Sequence, residues 1–295
     1  MVSRKAWLLL SLVILPLASC QSGISSDKLQ IYASFFAMED FAAKIGGKYA
    51  EVTSIVPSGQ EIHEYEPTTG DIVDLSQADM FVYNGAGLEH FVDDLRGAID
   101  NPDLVYVEAS AGLTLISDGA EEDPHTWLSP INASTQIRNI ADAIIALDPE
   151  HSDYYERNYD LYADKLYVLD QQFDAMLAPG LGKYLVTAHA AFGYLCREYG
   201  LVALPIGGHD AEQEPTQQDI ADVIDIINEN DIRYVYAESL SPEDAVLTVC
   251  EETGSTLAVL NPLEGLTDEE IATGEDYFSA MKDNLIAIAR GFIEV

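Results

Sequence analysis

A single helical stripe in the middle of the chain constrains its fold more than any other feature. Between Glu150 and Leu177, apolar or aromatic residues recur at alternating steps of four and three, the spacing of one continuous helix face. The members of this stripe are Tyr155, Tyr159, Tyr162, Leu166, Leu169, Phe173 and Met176. Ala178-Pro179-Gly180 then predicts the end of the helix. At 1.5 Å per residue such a helix measures roughly 40 Å, long enough to run along two small domains.

Short segments rich in β-branched and aromatic residues alternate with amphipathic stretches on both sides of this helix. The segments that we predict to be strands are 29–34, 50–56, 80–83, 104–108, 184–187, 201–206, 234–237 and 256–260. Such alternation is typical of parallel sheets with helices on both faces. We therefore predict an α/β fold with two lobes, residues 29–147 and 181–295, each a mostly parallel sheet flanked by helices, joined by one long rigid helix over residues 148–180. A dimeric coiled coil is the alternative, but the stripe is isolated between strand-bearing segments, and we expect a monomer.

The start of the chain has the pattern of a targeting segment. Arg4 and Lys5 precede a short apolar run that Leu17-Ala18-Ser19-Cys20 closes, and this resembles a bacterial lipoprotein signal. We predict a signal peptide over residues 1–20, a lipid on Cys20 and a polar tether over residues 21–28; an ordinary secretory signal is the alternative. Because no later apolar run is long enough to span a bilayer, we expect an extracytoplasmic protein anchored by its lipid.

The balance of charge limits the partners. The chain has 14 Lys and Arg against 51 Asp and Glu, which gives a formal net charge of -37. Nucleic-acid binding needs clustered cations to displace counterions, and the sequence has no such cluster, so we expect no nucleic-acid partner. The acidity is spread along the chain, which is typical of a solvated surface and favours cationic solutes.

Two cysteines remain after Cys20. Cys196 and Cys250 both lie among apolar residues of predicted helices. Outside the cytoplasm they can form a disulfide, and a pair of buried thiols is the equal alternative. Their spacing does not indicate a thiolate zinc site.

Three histidines follow predicted strands or precede a helix. His63 lies in the loop after the second strand, His125 lies in Asp123-Pro124-His125, and His189 ends the first strand of the second lobe. Ligands of open α/β sheets bind beyond the carboxyl ends of the strands, and both lobes would direct histidines to that crevice. Three neutral imidazoles would suit a metal cation.

A fourth donor is expected from the second lobe. Glu238, Glu264 and Asp276 all qualify by position, and the residues alone do not rank them. Asp276 is equally placed to be an acidic residue at the start of the last helix. His209, after a predicted strand, is a further candidate for the wall of the cleft, whereas His90 and His151 match ordinary surface or structural histidines.

The chain resembles the lipoprotein receptors that supply zinc or manganese to bacterial ABC importers. The segments that carry this resemblance are 63–67, 83–89, 123–130, 189–200, 214–215, 261–265 and 276–284, in that order over the whole mature chain. The resemblance implies two lobes joined by a long helix, an ABC permease as partner, and the metal ligands His63, His125, His189 and Asp276. It leaves Glu264, Glu238 and His209 as accessory candidates.

The resemblance also implies the metal. A histidine at the third ligand position favours Zn²⁺, and Mn²⁺ is the alternative. Many zinc receptors of this family carry a long histidine-rich loop before the second ligand, but here only the acidic segment 118–123 stands in that place. The preference for zinc over manganese therefore depends on the implied metal ligands alone.

Three other functions remain as alternatives. A zinc hydrolase would need an open coordination position and a general base, and the segment around His63 has no His-Glu-x-x-His pair, so we expect no enzyme activity. A surface adhesin can use the same fold. A receptor for metal chelates shares the long-helix architecture, but polar histidine-containing loops favour a bare ion.

Overall fold

The structure is a computed structural model that describes residues 28–117, 122–211, 213–240 and 244–293. The predicted signal peptide, Cys20 and all of the predicted tether except Lys28 lie outside the described residues, as do residues 118–121 of the acidic segment. Within the described chain, no helix combines the length and the apolar character needed to cross a bilayer.

Eight strands form two parallel sheets. The first contains β1 (Leu29–Ala33), β2 (Ala50–Ser54), β3 (Met80–Tyr83) and β4 (Val105–Glu108), in the order β2-β1-β3-β4. The second contains β5 (Tyr184–Thr187), β6 (Val202–Pro205), β7 (Tyr234–Glu238) and β8 (Thr256–Leu260), in the order β6-β5-β7-β8. The predicted α/β class with two parallel sheets is confirmed. In both sheets the chain reverses its direction of winding after the second strand, and such switch points are where open α/β sheets bind ligands.

Ten α-helices cover these sheets in the described parts of the chain. They are α1 (Phe36–Gly46), α2 (Thr69–Leu75), α3 (Val92–Ala98), α4 (Pro130–Leu147), α5 (Ser152–Leu177), α6 (Gly193–Tyr199), α7 (Gln217–Glu229), α8 (Asp244–Thr253), α9 (Asp268–Thr273) and α10 (Tyr277–Phe292).

Helix α5 is the predicted long helix. It has 26 residues, about 39 Å at 1.5 Å per residue, and short 3-10 turns precede and follow it. Its apolar stripe packs on α1 and α4 of the first lobe and on α6 and α10 of the second. Tyr155, Leu166, Leu169 and Phe173 are buried as predicted, but Met176 is 41% exposed, because the last turn buries Leu177 instead.

The two lobes are fastened to each other by buried hydrogen bonds. The Trp127 indole donates to Pro262 O at 2.7 Å, and the Tyr277 hydroxyl donates to Trp127 O at 2.7 Å. One apolar core runs from the first sheet past α5 to α10, and both Trp127 and Tyr277 belong to it. A smaller core between β7 and helices α7 and α8 belongs to the second lobe alone.

Both later cysteines are free thiols. Cys196 is buried in α6, and Cys250 lies in α8. Burial raises the pKa of the Cys196 thiol to about 12, which keeps it protonated and unreactive.

Candidate metal centre

Three histidines and one glutamate converge between the two lobes. His63 follows β2, His125 precedes α4, His189 follows β5 and Glu264 follows β8, and one ligand atom of each lies within 4.8 Å of those of the other three. His125 Nε2 lies 3.3 Å from His63 Nε2 and 3.2 Å from His189 Nε2. The structure thus brings together the three histidines that the sequence singled out.

Glu264 completes the group. Its Oε1 lies 3.6 Å from His63 Nε2, 3.3 Å from His125 Nε2 and 3.7 Å from His189 Nε2. Glu264 is 2% exposed, and its Oε1 has no hydrogen-bond partner among the described residues. Burying a carboxylate oxygen without a hydrogen bond carries a free-energy penalty, and a cation bound among these four atoms would offset that penalty.

The distances suit one small cation. Four donors at 2.0 to 2.2 Å from a tetrahedral ion are about 3.3 to 3.6 Å from each other. The five separations given above run from 3.2 to 3.7 Å. Three nitrogens and one carboxylate oxygen are a donor set that Zn²⁺ accepts, whereas Ca²⁺ and Mg²⁺ require mostly oxygen.

Two buried acids orient the imidazoles of His125 and His189. Asp123 Oδ1 accepts hydrogen bonds from both the backbone N and the Nδ1 of His125, each at 2.9 Å. The Glu238 carboxylate pairs with His189 Nδ1 and also accepts the His189 backbone N–H at 3.2 Å. A carboxylate at Nδ1 selects the tautomer whose Nε2 lone pair is free for a metal. Glu238, an accessory candidate from the sequence, therefore orients a histidine.

The loop that carries Glu264 is held in an unusual conformation. Leu263 has a φ of 59°, a left-handed backbone that a branched side chain seldom adopts, and it is fully buried. The Leu263 N–H donates to Asn261 Oδ1 at 2.7 Å, and Asn284 of α10 exchanges two hydrogen bonds with the Asn261 backbone. This fastening turns Glu264 toward the histidines.

The charges of the group explain its pKa shifts. Burial opposes the charged form of His189, but Glu238 and Glu264 outweigh burial and raise its pKa well above the ordinary value. The pKa of His63 is raised in the same way, against burial, chiefly by Glu264. Burial raises the pKa of Glu264, but the three imidazoles lower it well below the usual range. The cluster is thus built to hold positive charge.

Asp276 lies elsewhere, which corrects the expectation for the fourth donor. Its side chain caps α10: Oδ1 accepts the Ser279 N–H at 2.9 Å, and Oδ2 pairs with Lys44 Nζ at 3.0 Å. It belongs to no metal-binding group found among the described residues. An aspartate before an aromatic residue at a helix start is also what an N-cap requires, so the two roles look alike in sequence. The carboxylate that meets the histidines is Glu264.

A cavity of about 820 Å³ lies beside the cluster. His63, His90 and His209 line it together with the acids Glu64, Glu122 and Asp210. His209 also has a ligand atom within 4.8 Å of atoms of Asp123 and His125, and its Nδ1 lies 3.3 Å from Ala190 O. His209 therefore lies at the cleft wall, where the sequence placed it as an accessory candidate. His90 lines the same cavity, which the sequence did not suggest.

One acid of the site escaped the sequence argument. Glu61 Oε2 accepts the His63 backbone N–H at 2.8 Å, as Asp123 does for His125. Burial, and then the Glu264 carboxylate, raise the pKa of Glu61 to about 8. An acidic residue two positions before a histidine recurs in Glu61-Ile62-His63 and Asp123-Pro124-His125, and this repeated spacing was the available signal.

The chain is similar to proteins that are named for zinc uptake and zinc binding. The chain is 35% identical to "High-affinity zinc uptake system protein ZnuA" of Bacillus subtilis (strain 168), over 89% of this chain and 87% of that protein. It is 33% identical to "Zinc-binding lipoprotein AdcA" of Streptococcus pneumoniae serotype 4, over 95% of this chain but only 59% of AdcA. The crystal structure of the Zn(II)-bound ZnuA-like domain of S. pneumoniae AdcA superposes with a TM-score of 0.80 at 33% identity, over 90% of this chain and 100% of that domain.

The family match extends over almost the whole described chain. Residues 31–291 match the family described as "ZnuA: Zinc-uptake complex component A periplasmic". This range includes both sheets except the first two residues of β1, together with α5 and all four residues of the convergent group. The chain therefore belongs to the ZnuA family.

Proposed function

We propose that this protein is an extracytoplasmic receptor that captures Zn²⁺ between its lobes and delivers it to an ABC permease. His63, His125 and His189 provide three nitrogens and Glu264 one oxygen. The observation that carries the proposal is the group of four donor atoms spaced like the corners of a tetrahedron around an ion. Relatives named for zinc uptake and zinc binding support the choice of metal.

The donor set favours zinc over manganese. Mn²⁺ binds more weakly than Zn²⁺ to a given site and prefers oxygen donors, whereas this group is mostly imidazole. With neutral histidines and one carboxylate, a bound divalent ion keeps one positive charge, which the surrounding acids stabilise. The adhesin and chelate-receptor alternatives gain no support from the relatives described above. No catalytic step is proposed, because four protein donors leave a tetrahedral ion without a position for water.

The proposal is tested by metal titration of the protein that begins at Gln21. We expect one Zn²⁺ per chain, and a loss of affinity of at least about tenfold in each of His63→Ala, His125→Ala and His189→Ala. His151→Ala is the matched control, since His151 pairs with Asp148 at the start of α5. Equal zinc retention in all four variants would reject the site.

The membrane anchor and the partner belong to the same proposal. A lipid on Cys20 would keep the receptor beside its permease. The receptor would dock on the permease as a monomer, through both lobes, and release of the ion would follow docking. Cys20→Ala should move the protein from the membrane fraction to the soluble extracytoplasmic fraction. Membrane retention of that variant, or absence of lipid on the unaltered protein, would argue against the anchor.

A further inference from the structure

His125 is the central member of the convergent group. Its Nε2 lies 3.3 Å from His63 Nε2, 3.2 Å from His189 Nε2 and 3.3 Å from Glu264 Oε1. The residue is fully buried, and its backbone belongs to no helix or strand, because it lies just before the 3-10 turn Thr126–Leu128. Other parts of the molecule must therefore fix its position.

One side chain, Asn84, holds the two residues on either side of His125. Asn84 Nδ2 donates to Pro124 O at 2.9 Å, and Asn84 Oδ1 accepts the Thr126 hydroxyl at 2.9 Å. The same Oδ1 also accepts Nε2 of Gln136 in α4 at 2.9 Å. Asn84 and Thr126 are both fully buried, which strengthens these hydrogen bonds. His125 thus lies between two residues that are bound to the same amide.

Asn84 is itself anchored to the first sheet. It follows β3 directly, its backbone N–H donates to Glu89 Oε1 at 2.7 Å, and its backbone O accepts the Ser110 N–H at 2.9 Å. The buried Glu89 carboxylate also accepts the hydroxyl of Ser34, which directly follows β1, at 2.7 Å and the Gly85 N–H at 2.9 Å. The carboxyl ends of both β1 and β3 therefore hold Asn84 in place.

A role confined to stability is the alternative for Asn84. It predicts that loss of these hydrogen bonds lowers the free energy of unfolding and leaves metal binding unchanged. The position of the bonds favours a role at the site, because they end on the direct neighbours of His125. The bonds from His125 to Asp123 join residues two positions apart, so they orient the ring within its own loop. The Asn84 bonds fix that loop to the sheet.

We propose that Asn84 is a positioning residue of the metal centre. Through Pro124 and Thr126 it sets the position of His125 Nε2 among the other three donors, and so sets the affinity for the ion. This inference rests on the proposed function. Binding groups must be held within about 0.5 Å of their working geometry. Because His125 is central, a shift of its ring changes the distance to three other donors at once.

Substitutions at Thr126 separate the hydroxyl bond from side-chain packing. Thr126→Val removes the hydroxyl but keeps the shape of the side chain, and Gln136 still donates to Asn84 Oδ1. Thr126→Ser keeps a hydroxyl and should retain binding. Asn84→Ala removes both hydrogen bonds that flank the histidine. The matched control is Tyr155→Phe, which removes the hydroxyl of another buried residue, one that donates to Asp148 where α4 ends.

The test combines Zn²⁺ titration with the visible absorption of the Co²⁺-loaded protein, at a temperature where circular dichroism shows every variant folded. Zn²⁺ affinity should fall by about 10- to 100-fold in Asn84→Ala, as is typical when a group that orients a ligand is lost. It should fall by roughly threefold to tenfold in Thr126→Val, the effect of one hydrogen bond. The Co²⁺ bands of both variants should differ from those of the unaltered protein. Thr126→Ser and Tyr155→Phe should keep both the affinity and the bands.

The outcomes distinguish this inference from the function on which it rests. If Asn84→Ala and Thr126→Val keep the Zn²⁺ affinity and the Co²⁺ bands, whatever happens to their stability, Asn84 serves the fold alone and the receptor function stands. Equal losses in Thr126→Ser or Tyr155→Phe would make the effect unspecific and also overturn the proposal. If Asn84→Ala does not fold, the comparison of Thr126→Val with Thr126→Ser decides. If the unaltered protein binds neither Zn²⁺ nor Co²⁺, the receptor function itself fails, and this inference with it.

Discussion

Two carboxylates of the second lobe, Glu264 and Asp276, have opposite surroundings. Glu264 is buried among three imidazoles, and its Oε1 has no hydrogen-bond partner in the part of the chain that the structure describes, whereas Asp276 is half-buried and is engaged by Ser279 and Lys44. The burial of Glu264 and its lack of a hydrogen-bond partner among the described residues favour a role in cation binding, whereas the hydrogen bonds of Asp276 favour a structural role as an N-cap.

This contrast predicts that substitution of Glu264 lowers Zn²⁺ affinity, whereas substitution of Asp276 lowers stability. Glu264→Gln should lower Zn²⁺ affinity by at least about tenfold, because it removes the only carboxylate of the four-donor group. Asp276→Ala should keep that affinity but lower the free energy of unfolding by about 1 kcal/mol, the usual cost of a lost N-cap. Zinc titration and urea denaturation of both variants check this. Loss of zinc binding in Asp276→Ala with retention in Glu264→Gln would reverse the assignment.

Protons should compete with Zn²⁺ for the histidines of the metal centre. The pKa of His63 and of His189 is raised above 6.5 in the metal-free protein, so protons occupy these rings at pH values where free imidazole is neutral. Zn²⁺ affinity should therefore begin to fall above pH 6.5 and decrease further as the pH is lowered. The sign for stability is opposite: these histidines stabilise the metal-free fold below pH 6.5, and this contribution disappears as the pH rises through their raised pKa. Competition with a coloured chelator at stepped pH values measures the first effect, and an affinity that stays constant from pH 8 to 5 would contradict it.

At the scale of elements, α5 connects the two lobes through side-chain packing as well as through the continuity of the chain. Tyr162 stacks on Phe278 of α10 at 5.9 Å, and Phe173 stacks on Tyr199 of α6 at 5.1 Å. The helix is therefore a side wall of both lobes, and its buried face should carry its contribution to stability.

Two adjacent positions on α5 test this directly. Leu169 is 1% exposed and Val168 is 53% exposed. Leu169→Ala should lower the free energy of unfolding by about 2 to 5 kcal/mol because it leaves a cavity, whereas Val168→Ala should stay within about 0.5 kcal/mol. Denaturant titration of both variants without metal gives the comparison. Similar losses at the two positions would mean that the stripe does not form the core.

The strands and the long helix were predictable because their patterns are local. Short runs of β-branched and aromatic residues predicted all eight strands, and hydrophobic periodicity predicted the stripe of α5, each within a few residues. The proposed fourth donor was not predictable, because Glu264 reaches the histidines only through the left-handed turn at Leu263 and the Asn261–Asn284 hydrogen bonds, which depend on distant parts of the chain. Glu61 was missed because a loop glutamate is usually exposed, as Glu64 is, and the spacing that Glu61 and His63 share with Asp123 and His125 was the one available signal of its contact.

At the scale of the whole molecule, buried bonds between the lobes limit their motion. The Trp127 indole bond to Pro262 O and the Tyr194 hydroxyl bond to Asp123 O both cross from one lobe to the other. A wide hinge opening would leave these groups unpaired, so we expect zinc to shift loops rather than to close the lobes. Small-angle X-ray scattering should give the same radius of gyration with and without Zn²⁺. A clear decrease on loading would indicate hinge closure instead.

The convergence of four separated side chains on one ion is the central claim, and anomalous diffraction at the zinc edge tests it most directly. Crystals of the zinc-loaded protein should show a single strong anomalous peak within about 2.0 to 2.2 Å of the Nε2 atoms of His63, His125 and His189 and of Glu264 Oε1. A peak beside Asp276, or any zinc position that leaves these three imidazoles without a metal bond, would contradict the account.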